Sequence, residues 1–166
     1  VDEVDELTAS ELAALDAHNG EGIQTLEAVL EAIPSDVGVN LELKDPEITD
    51  QALAMAESVP HEVIISSFDA EALEGVHPDE KGNVELAYVL GTTLGDNLDI
   101  ALDLDCAFVH PNAWVCLLTG VVADAHDAGL AVNAWTVDSR PAAWALERRG
   151  VDGLIASSPH VMRWLE

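Results

Sequence analysis

The chain is 166 residues long, 49% hydrophobic, and carries 32 acidic against six basic side chains, for a formal net charge of −26. Such a length suffices for one domain with a real core, and acids interleaved with apolar residues exclude a disordered acidic tail, which would be poor in hydrophobics. Direct nucleic-acid binding is excluded for want of a basic patch, and a stable membrane span because the longest nearly apolar run, Ala113 to Ala125, is too short.

In chain order, Thr8 and Glu11 form a capping box for a short helix, Asn19–Gly22 reads as a turn, and Thr25 caps a second helix through Ile33. The first β-rich run is Val37–Leu43, followed by a helix over Gln51–Glu57 capped by Thr49 or Asp50. A second run, Glu62–Ser67, leads to a helix over Ala70–Glu74 capped by Asp69. The runs Val84–Leu90 and Asp105–His110 come next, then a long apolar helix from Trp114 to Ala128 closed by Gly129. The fifth run is Leu130–Val137; Ser139 then caps a helix with Pro141 in its first turn that stops at Gly150, and Gly153–Ser157 is the sixth run. Strand starts recur every ~20 to 26 residues, the spacing of a compact strand-plus-helix unit, and the runs are apolar enough to be covered on both faces, as parallel strands are.

Six such units suggest an open doubly wound sheet or part of a (β/α)8 barrel. A complete barrel needs ~250 residues, so a barrel here would be incomplete. No Gly-rich G-x-G-x-x-G turn follows a strand and no Walker-type loop exists, which leaves a dinucleotide or nucleoside-triphosphate fold without support.

The stretch "VNLELKD" carries the first chemical signal. Alternation puts Asn40, Glu42 and Lys44 on one face of an apolar strand and Val39, Leu41 and Leu43 on the other. A structural ion pair is one explanation, although such pairs add little once desolvation is counted. Lysine usage favours another: the chain has two lysines, and Lys81 in "DEKGN" reads as an ordinary loop residue, so a lysine retained inside a strand points to chemistry. In a barrel, the C-terminal strand ends carry that chemistry. Cys106 and Cys116 form no metal-type pair and read as inert core thiols. The acidic shell fits adaptation to molar salt, where the Debye length falls to ~3 Å at 1 M, and predicts a fold that loosens in dilute buffer.

"GIQTLEAVLEAI", "VNLELK", "VIISSFD", "AYVLG", "FVHPN", "AGLAVNAWTVD" and "GVDGLIASSP", in that order and spacing, resemble the second two-thirds of the glycerophosphodiester phosphodiesterase family. "VDELTASELAALD" is similar to the segment that leads into the family's Thr-Leu-Glu helix. The resemblance implies an α/β fold, an incomplete TIM barrel holding strands three to eight, with a helical lead-in over 1–35 and six β/α units over 36–166. It implies a hydrolase that converts glycerophosphodiesters to glycerol 3-phosphate and an alcohol, with a divalent cation, magnesium or calcium. By position, Glu42 is similar to the glutamate that completes the family's metal site, Lys44 to the lysine facing the phosphate, and Trp135 to the tryptophan at the barrel mouth. Those roles suit the residue types: a hard cation takes carboxylate oxygens, an ammonium offsets charge on phosphoryl oxygens, and an aromatic face takes glycerol or a choline-like cation.

The resemblance also implies what this chain lacks. The family's two catalytic histidines, in a His-Arg-Gly and a His-Asp motif, and the Glu and Asp that share the metal, would lie upstream of Val1, so the expected catalytic set in this chain is empty. In the family mechanism those histidines act as general acid and base while the glycerol hydroxyl attacks phosphorus, giving a cyclic phosphate that water opens. This segment alone is expected to be inactive and, with two unpaired sheet edges, unstable by itself. Among the histidines present, His110 in "FVHPN" is the one placed near the mouth, with a structural role favoured; surface roles are expected for His18, His61, His77, His126 and His160. Ala156 and Ser157 stand where the family often has Thr-Asp. Two alternatives stay open: a class I aldolase with Lys44 as the Schiff-base lysine, and a non-catalytic degenerate barrel that pairs its edges with another chain. The expected partner is a small-molecule phosphodiester and the expected location cytoplasmic.

Overall fold

The computed structural model describes residues 7–16, 22–77, 82–91, 97–158 and 160. Two helices lead in: α1 (Ala9–Ala14), held by the Thr8–Glu11 capping box, and α2 (Leu26–Ala32), whose first turn is capped by Thr25. Six strands follow: β1 (Val39–Leu43), β2 (Val63–Ser67), β3 (Val84–Leu90), β4 (Phe108–Pro111), β5 (Ala131–Ala134) and β6 (Gly153–Leu154). They form one parallel sheet in sequential order, β1 to β6. Asn40 of β1 and Ile155 beyond β6 line one pocket, so the sheet curls into an open half-barrel rather than lying flat.

Between strands run α3 (Thr49–Ser58), α4 (Asn97–Asp103), α5 (Ala113–Leu118), α6 (Val121–Asp127) and α7 (Arg140–Arg149). The core lies between these helices and the outer face of the sheet. Val63, Ile65, Leu86, Val109 and Val132 point outward from the strands and pack with Ala56, Cys116, Ala125 and Leu146 of the helices. Fully burying an Ile or Leu side chain contributes ~1.5–3 kcal/mol, so this layer holds the curl. The opposite face is the lumen, and period-two alternation assigns to it Glu42, Ser66, Ala87 and Phe108, which sit side by side in register.

Several local expectations are corrected. The long helix over Trp114–Ala128 is two helices, broken at Thr119–Gly120. The Thr119 hydroxyl donates to Val115 O at 2.7 Å and accepts from Val121 N at 3.2 Å, and glycine is a poor helix former. Arg149 at the end of α7 donates to the Leu117 and Thr119 carbonyls exposed by that break. Ala70–Glu74 is a turn rather than a regular helix, although Asp69 accepts from Glu71 N as a cap would. Asp45, not Thr49 or Asp50, starts the segment after β1: its carboxylate accepts from Glu47 N in a 3-10 turn, Pro46–Ile48, while the Thr49 hydroxyl donates to Ala72 O. Ser139 precedes α7 without a side-chain cap, and Gly150 ends that helix at φ 84°.

The fourth strand starts at Phe108 rather than Asp105, because Asp105 has φ 52° and breaks the extended run. The fifth and sixth strands are shorter than their apolar runs. Helix α4 is an addition; its periodic "NLDIALD" was the available signal. His61 is not a surface residue: it is 2% exposed, with its ring nitrogens 3.1 and 3.2 Å from the Val37 and Leu30 carbonyls, tying α2 to the start of β1. Cys106 and Cys116 are buried free thiols whose pKa burial pushes up to about 11, in keeping with inert core residues. The expected turn at Asn19–Gly22 falls almost wholly outside the described residues, as do His18 and Lys81.

Candidate active site at the C-terminal strand ends

Strand β1 presents its polar face to the lumen as alternation requires. Asn40, Glu42 and Lys44 line a pocket of about 230 Å3 with Phe68, Val89, His110, Trp135, Thr136 and Ile155. Every wall comes from a strand or from the residues just beyond its C-terminal end, the place where barrel enzymes gather function. The three residues singled out in the sequence, Glu42, Lys44 and Trp135, are therefore brought together.

Their contacts form a chain. Lys44 Nζ donates to a Glu42 carboxylate oxygen and lies 5.5 Å from the centre of the Phe68 ring. Phe68 meets Trp135 edge to face, with centroids 5.4 Å apart. The indole N–H of Trp135 donates to His110 O at 2.7 Å. Below it, Asn133 Nδ2 donates to His110 Nε2 at 3.1 Å. An amide nitrogen only donates, so Nε2 accepts and the neutral ring carries its proton on Nδ1. Burial pushes the His110 pKa down to about 4, against an upward pull from the Glu42 charge, and the ring is neutral at pH 7.

Lys44 is 74% exposed at its side chain and Glu42 35%, so their ion pair adds little to stability and the ammonium can turn to a ligand. A Schiff-base lysine works from a desolvated pocket; Lys44 has neither the burial nor the isolation from carboxylate that such a role calls for. A larger cavity, about 400 Å3 and lined by Leu30, Ile33, Met55, Val59 and Pro60, lies behind α2 and α3. Its surface is mostly apolar, although Glu27, Glu31, Ser35, Ser58 and His61 also line it; none of these lies at a C-terminal strand end, so volume alone does not mark the site.

The sequence reading left Phe68, Ser66 and Asn133 without assigned roles, although the same parity that identified Glu42 places Phe68 and Ser66 on the lumen side. His126 lies on α6 and binds Asp152 Oδ2 at 2.9 Å, outside the pocket; His77 and His160 are exposed. At the C-terminal end of the sheet, Asp138 accepts from Ser157 N and Ser157 Oγ at 2.8 and 2.9 Å. Thus a carboxylate in the loop after β5 anchors Ser157, which stands where the family often has Asp.

A divalent cation wants six or more oxygens. Glu42 supplies one carboxylate at the pocket wall, and among the described residues no group of three or more His, Cys, Asp or Glu could hold an ion. The described residues fit the edge of a cation site, not a whole one. Among them, too, no helix is long and apolar enough to cross a membrane.

A curled parallel sheet with helices outside and a polar-aromatic pocket at its strand ends defines a (β/α)-barrel class of enzyme. Residues 1–161 match the model of the glycerophosphoryl diester phosphodiesterase family, and the chain belongs to that family, one of phosphoric diester hydrolases. A glycerophosphodiester phosphodiesterase of Caldanaerobacter subterraneus is 29% identical over 177 residues, spanning 96% of this chain and 71% of that protein. An Oleispira antarctica phosphodiesterase solved with its product sn-glycerol-3-phosphate superposes with a TM-score of 0.81 at 23% identity, over 98% of this chain and 72% of the other. A glycerophosphodiester phosphodiesterase from Thermotoga maritima gives 0.78 at 22% identity, over 99% and 72%. At those identities the two structures speak to the fold.

Proposed function

We propose that this chain forms the phosphate-facing wall of an enzyme that hydrolyses glycerophosphodiesters to glycerol 3-phosphate and an alcohol, with β1–β6 as strands three to eight of its barrel. The observation that carries the reading is the convergence of Glu42, Lys44, Phe68 and Trp135 on one pocket at the C-terminal strand ends. Family membership supports it, as does the product bound by the Oleispira relative.

Lys44 binds the phosphoryl group. Its ammonium has three donors, one engaged by Glu42, and the others offset negative charge on the phosphoryl oxygens as the bond to the leaving alcohol breaks. The Phe68–Trp135 corner takes the glycerol carbons or a cationic alcohol such as choline against its ring faces. Glu42 orients Lys44 and contributes one ligand to a magnesium or calcium ion. When bound, that cation supplies Lewis-acid charge neutralisation; the described residues give it one ligand and do not complete its site. In this reading the general acid and base are not among the described histidines. His110 does not take their place, because its Nε2 is engaged by Asn133 and the ring is buried. The substrate is a small molecule, met in the cytoplasm.

The test uses the intact natural protein. Lys44→Met is expected to lower kcat/KM by ~10²–10³, the cost of removing a charge-stabilising donor, with cation binding retained, and Glu42→Gln to lose cation-dependent turnover. Wild-type rates in either variant refute the assigned role.

A further inference from the structure

His110 is 2% exposed, yet it lines the pocket together with Glu42 and Lys44. Register shows where in the lumen it stands. Val89 of β3 pairs with His110 of β4, and Asn133 of β5 with Gly153 of β6. Continuing the other ladders by one residue sets Lys44 beside Phe68, Phe68 beside Val89, and His110 beside Asn133. Directly opposed residues of neighbouring strands share a face. Lys44, Phe68, Val89, His110 and Asn133 therefore belong to one layer of the lumen, the layer above Glu42 and on the mouth side of it.

The two ring nitrogens of His110 have different surroundings. Nε2 accepts from Asn133 Nδ2 at 3.1 Å, which leaves the proton of the neutral ring on Nδ1. Nδ1 has no hydrogen-bond partner among the described residues, and it is not sealed off either: the one sealed side-chain nitrogen or oxygen among them without a partner is Ser66 Oγ. The Nδ1–H group therefore meets the space that the ring lines. A histidine that served packing alone would give this proton to a protein acceptor, since nearly all buried polar groups are paired. Trp135 fixes the side of the pocket concerned. Its indole N–H donates to His110 O at 2.7 Å and its ring meets Phe68 edge to face. The unused donor thus stands on the aromatic side, the side proposed above for the glycerol carbons, with Phe68 and Val89 between it and Lys44.

We propose that His110 is a substrate-binding residue: its Nδ1–H donates to a hydroxyl oxygen of the glycerol moiety, and Asn133 fixes the tautomer that makes this donor available. The inference rests on the reading of the pocket as the phosphodiester site. It gives the site a means of preferring a glycerol ester over a plain alkyl ester of the same length, because a ligand without the hydroxyl leaves the N–H unpaired.

The experiment uses the intact natural protein and measures, by calorimetry, binding of glycerol 3-phosphate and of propyl phosphate, which keeps the carbon chain and the phosphate but lacks both hydroxyls. His110→Gln places a carboxamide where Nε2 was, able to hold Asn133, with no donor near the position of Nδ1. His110→Asn places its amide nitrogen where Nδ1 was. His110→Gln is expected to weaken glycerol 3-phosphate ~3–10-fold, the worth of one hydrogen bond, and to leave propyl phosphate unchanged. His110→Asn is expected to keep most of the preference for the glycerol ester. In the wild-type protein, which requires no variant to fold, the Nδ1–H resonance followed by NMR should shift and exchange more slowly with water on adding glycerol 3-phosphate, but not on adding propyl phosphate. Wild-type affinity for glycerol 3-phosphate in His110→Gln, equal losses for both ligands in both variants, or an Nδ1–H resonance that the two ligands move alike overturns the proposal. If Lys44→Met weakens both ligands in that case, the pocket reading survives without His110. If Lys44→Met binds both as wild type does, or wild type binds neither, the pocket reading fails as well.

Discussion

Replacing Gly153 by alanine is a sharp probe of the layer that holds His110. A Cβ at position 153 would lie 2.3 Å from Asn133 Oδ1 and 3.0 Å from its Cγ, so the carboxamide must swing aside. The amide is the far end of a side chain, and the clash alone is easily relieved. The consequence is loss of the bond from Asn133 Nδ2 to His110 Nε2, which leaves a ring nitrogen of a 2% exposed residue without its donor. Such a loss costs ~1–3 kcal/mol, offset by ~0.4–1 kcal/mol from the stiffer unfolded chain, because Gly153 is not among the glycines with positive φ. The net is a destabilisation of ~1.3 kcal/mol at the midpoints of those ranges, which lowers the melting temperature by ~3–5 °C for a chain of this size. Thermal unfolding by circular dichroism in molar salt reads it, with Asn133→Ala as the second arm of a double-mutant cycle. In the Asn133→Ala background, Gly153→Ala is expected to be neutral or stabilising. An equal loss in both backgrounds would show that Asn133 is not what Gly153 accommodates.

Acid should expose His110. Its folded pKa lies below the ordinary value of about 6.5, so the unfolded chain takes up a proton first and stability falls as pH drops from ~6.5 towards about 4. His110→Asn should flatten that limb of the pH–stability curve, and an unchanged limb would contradict the neutral buried ring. For Asp152, burial pushes upward, but hydrogen bonds from Val132 N and His126, with the His126 charge, hold the carboxyl below its ordinary value. Its contribution is present above the usual aspartate pKa of ~3.9 and is lost as pH falls through the lower folded value. In Asp152→Asn the steepening below ~pH 4 should shrink. Finally, with a net charge of −26, the melting temperature should rise from dilute buffer to 1 M salt, and equal stability at both ends would refute the salt-screening account.

What was legible in the sequence was local. Glu42 and Lys44 share a face because alternation is a property of one strand, and the Thr8 and Thr25 caps act within three residues of themselves. The six strands announced themselves through apolar β-rich runs, although Asp105 and Val37 show that such a run can begin before the backbone extends. What stayed hidden depends on distant partners. His61 sits between Pro60 and Glu62, a surface-like setting, yet its acceptors lie 24 and 31 residues away. Asn133 reaches His110 across 23 residues, through a register that no local pattern encodes. The break at Thr119–Gly120 was masked by an apolar run on both sides, where the hydroxyl's competition for backbone groups decided the outcome. Parity alone would have placed Ser66 and Phe68 in the lumen; only register shows that Ser66 stands beside Glu42.

The central claim concerns where a phosphodiester binds, and the most direct measurement is a crystal structure of the intact natural protein with glycerol 3-phosphate. The account predicts phosphate oxygens within hydrogen-bond distance of Lys44 Nζ and glycerol carbons against Phe68 and Trp135. A ligand seated elsewhere, such as the apolar cavity behind α2 and α3, with the Lys44–Glu42 pair undisturbed, would contradict it.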